Sequence, residues 1–214
     1  MQNRIQDSPI TGGQHTSHPA AIRIDGQRDL LLALLLVNGA ALVTWWMGYG
    51  IVVSQEHGII EDAQLLVLLL SLALFWFGWR HGDGAAKIAS GALAMLVLAA
   101  FIRELDVKML ESSWWFRGLQ KILLVALALL TPWYLIKRRQ HWPGIMKLLF
   151  APAAVPLFIA GALLMLSFYF DRRLVVLNAG LRFWEEFIEL NGFMFLLMSA
   201  RNHWVIIRDR SARP

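Results

Sequence analysis

The chain has 214 residues, 57% of them hydrophobic and only 16% charged, with 20 Lys and Arg against 15 Asp and Glu. Soluble domains carry about 25% charged residues and lack apolar runs that take up most of the chain, so a separate water-soluble domain of useful size is excluded. Cysteine is absent, which removes disulfide frameworks, thiolate zinc sites, iron–sulfur clusters and cysteine nucleophiles.

The net charge of +5 does not point to nucleic acid, because no basic patch sits on a soluble fold. It points to a lipid bilayer as the partner, with basic residues marking cytoplasmic loops. The sequence predicts an all-α, polytopic membrane protein. Residues 1–28 are polar, rich in Ser, Thr, Gly, Gln and His, and read as a disordered cytoplasmic tail. Residues 29–201 form a six-helix transmembrane bundle, and 202–214 a basic cytoplasmic tail.

A span needs about 20 mainly apolar residues, at 1.5 Å rise each, to cross about 30 Å of hydrocarbon. The first candidate covers residues 30–51. Its apolar run continues through Val53, which suits a spanning anchor better than a cleaved signal peptide. The second covers 60–79, the third begins at Ile88, and the fourth covers 119–136. The fifth, 148–170, contains Pro152 and Pro156 and is expected to kink. The sixth covers 183–200. The two halves share no alignable motif, so an inverted repeat of the transporter kind is not read here.

Orientation follows the Lys and Arg positions. With the N-terminus inside, 13 of the 20 basic residues fall on the inner side and seven on the outer. Lys137-Arg138-Arg139, preceded by the belt aromatics Trp133 and Tyr134, is the strongest cytoplasmic marker. Acids show the opposite bias: ten of the 15, including every Glu, fall at the outer ends. The positive-inside rule says little about Asp and Glu, so this asymmetry has another cause.

Three motifs hold most of the outer acids. Glu56-His57-Gly58-Ile59-Ile60-Glu61-Asp62-Ala63-Gln64 enters the second span, Arg103-Glu104-Leu105-Asp106 leaves the third, and Glu185-Glu186-Phe187-Ile188-Glu189-Leu190-Asn191-Gly192 enters the sixth. Only 15 uninterrupted residues, 88–102, precede Arg103. They span roughly 22 Å, so Arg103, Glu104 and Asp106 complete the crossing. With Arg201 as the inner boundary, Glu189 lies about 18 Å above it, inside the hydrocarbon. Taking Arg208 instead would put Glu189 near the outer surface. The first choice keeps Arg201 and His203 out of the membrane. Gly192 sits beneath the acidic face and permits close helix approach. Asn38, within the first span, is expected to hydrogen-bond a neighbouring helix.

Carboxylates at such depth are paired, protonated or turned to a water-filled cavity. Three readings follow. In the first, a membrane-embedded, metal-dependent hydrolase uses Glu61 or Glu185 as general base and Arg103 as oxyanion stabiliser. Asp62, Glu104, Asp106, Glu186 and Glu189 then hold a divalent cation, Mg, Ca or Mn suiting the oxygen-rich donors. In the second, the same acids bind a proton or cation in a small coupled transporter. In the third, the cluster only pins helices together. A homo-oligomer or another membrane protein is the expected protein partner. Glu185-Glu186 resembles the paired Glu of intramembrane CAAX-type proteases. The Arg four residues after the second Glu is replaced by Leu190, and the partner His motifs are missing, which excludes that assignment. Apart from Ser17-His18 in the polar N-terminal segment, no Ser stands beside a His to support nucleophilic catalysis.

Overall fold

In hydrocarbon a chain must satisfy its backbone N–H and C=O groups within itself, and long runs of Leu, Ala and Val do so as helices. The computed structural model describes residues 25–48, 59–105, 114–174 and 179–211. Among these lie seven α-helices: α1 (Asp25–Trp46), α2 (Ile59–His81), α3 (Gly84–Glu104), α4 (Trp114–Lys137), the short α5 (Trp142–Leu149), α6 (Val155–Leu174) and α7 (Ala179–Ser211). Single 3-10 turns, Arg139–His141 and Pro152–Ala154, flank α5. Five helices, α1 to α4 and α6, are long and apolar enough to cross a membrane.

The α2–α3 hairpin turns at Gly82-Asp83-Gly84. The Gly82 N–H donates to the Gly78 carbonyl at 2.9 Å, and a Cβ on Gly82 would stand 2.5 Å from that oxygen. Gly84 has φ +49°, a left-handed conformation that other residues adopt rarely. Two glycines thus reverse the chain within one short turn.

The expected fifth span does not run unbroken from Leu148. Residues 148 and 149 belong to α5, Ala151 is extended (φ −72°, ψ 146°), and a 3-10 turn opens at Pro152. Pro152 lacks the N–H a continuous helix needs, and Ala151 before it leaves helical backbone, whereas Pro156 is tolerated in the first turn of α6 after a helical Val155. The result is a break rather than a kink, and α6 restarts at Val155.

The last helix also exceeds its expected bounds. With 33 residues, α7 is about 50 Å long and continues through 202–211, where a basic tail was expected. It forms the centre of the bundle, packing most extensively against α6 and α2. Ile207 lies against Gly78 and Gly82 at the hairpin turn, and His203 Nε2 is 3.2 Å from the Ala86 carbonyl. The hairpin end of the bundle therefore lies level with 203–207, not with Arg201. Glu189 lies toward the opposite end, level with the last turn of α3.

Between the two ends the interior is apolar. Leu68, Phe75, Val97, Phe193, Leu197 and Ala200 are all buried there. Lipid tails solvate such side chains well, so cohesion depends on close packing and on polar links between helices. Helix α3 supplies the small residues, burying Ala86, Ala89, Ser90, Gly91, Ala92 and Ala94. Gly192 does permit a close helix approach, and the partner is α6. A Cβ there would meet the Leu164 side chain of α6 at 3.0 Å, so it fits α7 to α6 rather than to α2 or α3.

Candidate functional site: two arginine–carboxylate knots

Two of the helix ends at the Glu189 level carry a charge that their dipole favours. Glu61 and Asp62 lie in the first turn of α2, where the helix dipole stabilises acids. Arg103 lies in the last turn of α3, where it stabilises a cation. Helix α7 passes between these ends and offers its acids to both.

Arg103 forms the first knot. Its Nε donates to Glu104 Oε1 at 2.8 Å, and its other nitrogen, Nη2, pairs with Glu189 Oε1. The Arg103 side chain remains 52% exposed, whereas that of Glu189 is 11% exposed. The second knot centres on Arg182, whose Nε donates to Glu186 Oε1 at 2.9 Å and whose Nη2 lies 3.4 Å from Glu61 Oε1. Glu186 is only 7% exposed. Its second oxygen, Oε2, is buried without a hydrogen-bond partner among the described residues. That is costly for a carboxylate in low dielectric.

Neutral amides extend the network. Gln64, fully buried in α2, donates to the Glu186 carbonyl at 3.1 Å. Asn38 of α1 and Asn191 of α7 exchange reciprocal amide bonds at 2.8 Å each, which meets the expectation for Asn38. Trp45 stacks on Phe183 with ring centroids 4.7 Å apart, so α1 is held to α7 by a polar and an aromatic contact together. From α4, Gln120 donates to the Ile102 carbonyl at 2.8 Å.

Of the expected site residues, Glu61, Arg103, Glu104, Glu186 and Glu189 come together in these two knots. Glu185 is half-buried on the same turn of α7 as Glu186. Asp62 does not join them. It is exposed, because one residue turns the helix by about 100° and carries Asp62 away from the face shared by Glu61 and Gln64. Asp106, Glu56 and His57 lie outside the described residues. Among the described residues no three His, Asp or Glu side chains are placed to hold a metal ion.

Arg182 was not among the expected site residues, although its spacing four residues before Glu186 is the helical ion-pair signal that would have found it. Its reach to Glu61, 121 positions away in the chain, had no signal in the sequence. At the other end of the bundle a cavity of about 30 Å³ is lined by Ala89, Leu93, Leu148, Ser199 and His203. That is room for about two water molecules. No protein-family model, curated protein or solved structure matches this chain.

Proposed function

We propose that the chain is a six-span protein of the cell inner membrane, with both termini cytoplasmic, that binds a cation at a one-sided acidic site on its outer face. The observation that carries this reading is incomplete neutralisation of the acids. Glu104 and Glu189 share the single guanidinium of Arg103, and Glu186 keeps a buried oxygen without a donor among the described residues. A network built only to pin helices has no need of the surplus acid. A proton or a cation arriving from the outer side would neutralise it.

The sixth span in this reading is α7. Its apolar stretch is interrupted at Arg201, Asn202 and His203, yet Asn202 donates to the Ala153 carbonyl at 3.2 Å and His203 meets Ala86. Polar groups that are satisfied by neighbouring helices are tolerated in a span. The apolar layer of Leu68, Phe75, Val97 and Phe193 beneath the knots favours binding from one face over conduction through the bundle. A metal-dependent hydrolase is less favoured, since no three described donors converge. A site on one side that takes a proton, a monovalent cation or an organic ammonium fits the same groups.

Thermal unfolding of the purified protein in detergent, at constant ionic strength, tests this reading. The probes are Na+, Mg2+, Ca2+ and an alkylammonium salt, each compared with the others. A ligand that binds only the folded state raises Tm. One of these cations is expected to raise the wild-type Tm, and Glu186→Gln and Glu189→Gln are expected to fold yet lose the rise. If no cation moves the wild type and both Gln variants are equally or more stable, the acids serve only to join helices.

A further inference from the structure

The end of the bundle opposite the acids carries a surface that neither the knots nor the core uses. Helix α5 has eight residues and two apolar faces. One is satisfied: Ile145 is buried against α3 with Ile88, Ala89 and Ala92, and Leu148 and Leu149 pack beside it. The other is not. Trp142, Met146 and Phe150 are exposed, and their spacing of four residues aligns them in one stripe along the helix.

Exposed cations flank the stripe. Lys137, Arg138 and Arg139 precede α5, and Lys147 stands on it. Two of them lie over aromatic rings, Lys137 at 5.0 Å from the Trp133 centroid and Arg138 at 4.8 Å from Tyr134. The helix is also fixed in place. Trp142 Nε1 donates to the Leu135 carbonyl at 3.1 Å, and a Cβ on Gly144 would stand 2.6 Å from Ala85. At eight residues, α5 is about 12 Å long, too short to span and too apolar on its outer face to lie in water.

We propose that α5 lies in the membrane plane and, with Lys137, Arg138, Arg139 and Lys147, forms a docking surface for the headgroups of anionic phospholipids. The stripe of Trp142, Met146 and Phe150 enters the headgroup–acyl boundary, as the apolar face of an interfacial helix does. The four cations stand beside it at headgroup level, where aromatic belts and basic residues meet. Charge complementarity selects the lipid. Phosphatidylglycerol offers a net negative charge to this surface and phosphatidylcholine does not. The breaks at Arg138 and at Ala151–Pro152 fit the same role, since they turn the chain out of α4 and into α6 with α5 between them.

The test is lipid binding to the purified full chain in mixed micelles, where membrane orientation plays no part. Phosphatidylglycerol and phosphatidylcholine are titrated against thermal stability and against lipid adducts in native mass spectrometry. Wild type is expected to bind phosphatidylglycerol preferentially. Single Lys147→Gln and Arg139→Gln variants are expected to weaken that binding roughly fivefold each. The paired control Arg117→Gln/Lys121→Gln removes exposed charge from the other end of α4 and is expected to leave it unchanged. Trp142→Ser is expected to weaken both lipids, because the stripe contacts acyl chains of either. Equal binding of the two lipids by wild type would overturn the proposal. So would a control variant that loses as much as the Lys147 and Arg139 variants, since binding would then follow net charge rather than a site.

Discussion

Arg103 of α3 and Glu189 of α7, 86 positions apart in the chain, are joined by a guanidinium–carboxylate bond that also takes in Glu104. The geometry is asymmetric. Arg103 is half-exposed at the helix end, while Glu189 is enclosed between helices. Removing the two partners should therefore have unequal effects.

Arg103→Gln leaves both Glu104 and Glu189 without their cation, and is expected to destabilise the protein by about 2 kcal/mol, less than for a fully enclosed pair because the guanidinium reaches solvent. Glu189→Gln keeps a hydrogen-bonding group and relieves the surplus charge, so its effect is expected within about 1 kcal/mol of zero. Thermal or chemical unfolding in detergent reads both. A larger loss for Glu189→Gln than for Arg103→Gln would contradict the assignment of the surplus to the acids.

Helix α1 is weakly enclosed, with Leu32, Leu35, Leu36 and Val43 all exposed. Its reciprocal bond from Asn38 to Asn191 is expected to account for much of its attachment. A double-mutant cycle with Asn38→Leu and Asn191→Leu should give a coupling of about 1 kcal/mol, the scale of interhelical hydrogen bonds in membranes. Additive single effects would mean that the amides act independently and that α1 is held by packing alone.

The existence of the long helices was largely legible in the sequence, because a span needs a long apolar run and helices are the form that such a run takes. The convergence of Glu61, Arg103, Glu186 and Glu189 was also legible, through the one-sided placement of the acids. What failed were positions set by contacts between distant segments. Nothing local distinguishes Glu61 from Asp62 as the inward residue until the face of α2 that carries Gln64 is known. The level of α7 along the bundle was hard to read for a related reason. Arg201 looked like a membrane boundary, but α7 continues past it and sets its register through Ile207 against the α2–α3 turn. The break before α6 was half legible: Pro152 and Pro156 marked the place, while α5 on the near side depends on the packing of Ile145 against α3.

Where α3 crosses α2 and α4, Gly91 has no room for a side chain. A Cβ would stand 2.8 Å from Tyr134 Oη and 2.9 Å from Trp79 Cδ1. The Tyr134 hydroxyl is itself buried without a partner among the described residues. Gly91→Ala is expected to destabilise by about 1–3 kcal/mol, the range for overpacking a filled core. Tyr134→Phe removes both the obstructing atom and an unsatisfied hydroxyl, so it should be neutral or stabilising alone and should recover part of the Gly91→Ala loss. Additivity in the double variant would show that Trp79, not Tyr134, sets the limit.

Topology reporters test the proposed orientation directly. A reporter fused after Arg139 is expected to read cytoplasm, and one fused after Glu56 or Arg172 the exterior. The basis is the excess of basic residues on one side, with Lys137, Arg138 and Arg139 as its centre. An exterior signal at Arg139 would invert the protein and turn the acidic knots toward the cytoplasm.

The final prediction concerns the face of α2. Arg182 reaches Glu61 at 3.4 Å, whereas Asp62 is turned to the exposed side. With no native Cys in the chain, paired substitutions report this without background. In membranes, Glu61→Cys with Arg182→Cys is expected to cross-link efficiently with a short bismaleimide, because the two helices face each other at these positions. Asp62→Cys with Arg182→Cys moves one thiol by a single residue, about 100° around α2, and is expected to cross-link markedly less. Each thiol's reactivity toward a monofunctional maleimide must be measured beside the cross-link, since an enclosed Cys at position 61 would lower the yield for reasons of access. Once corrected for reactivity, equal yields would mean that α2 rotates freely at its first turn. The Arg182 knot would then be a transient contact and not a fixed part of the site. A yield confined to the Glu61 pair would fix the rotation of α2 against α7, and with it the inward placement of Gln64 on which the Glu186 carbonyl contact depends.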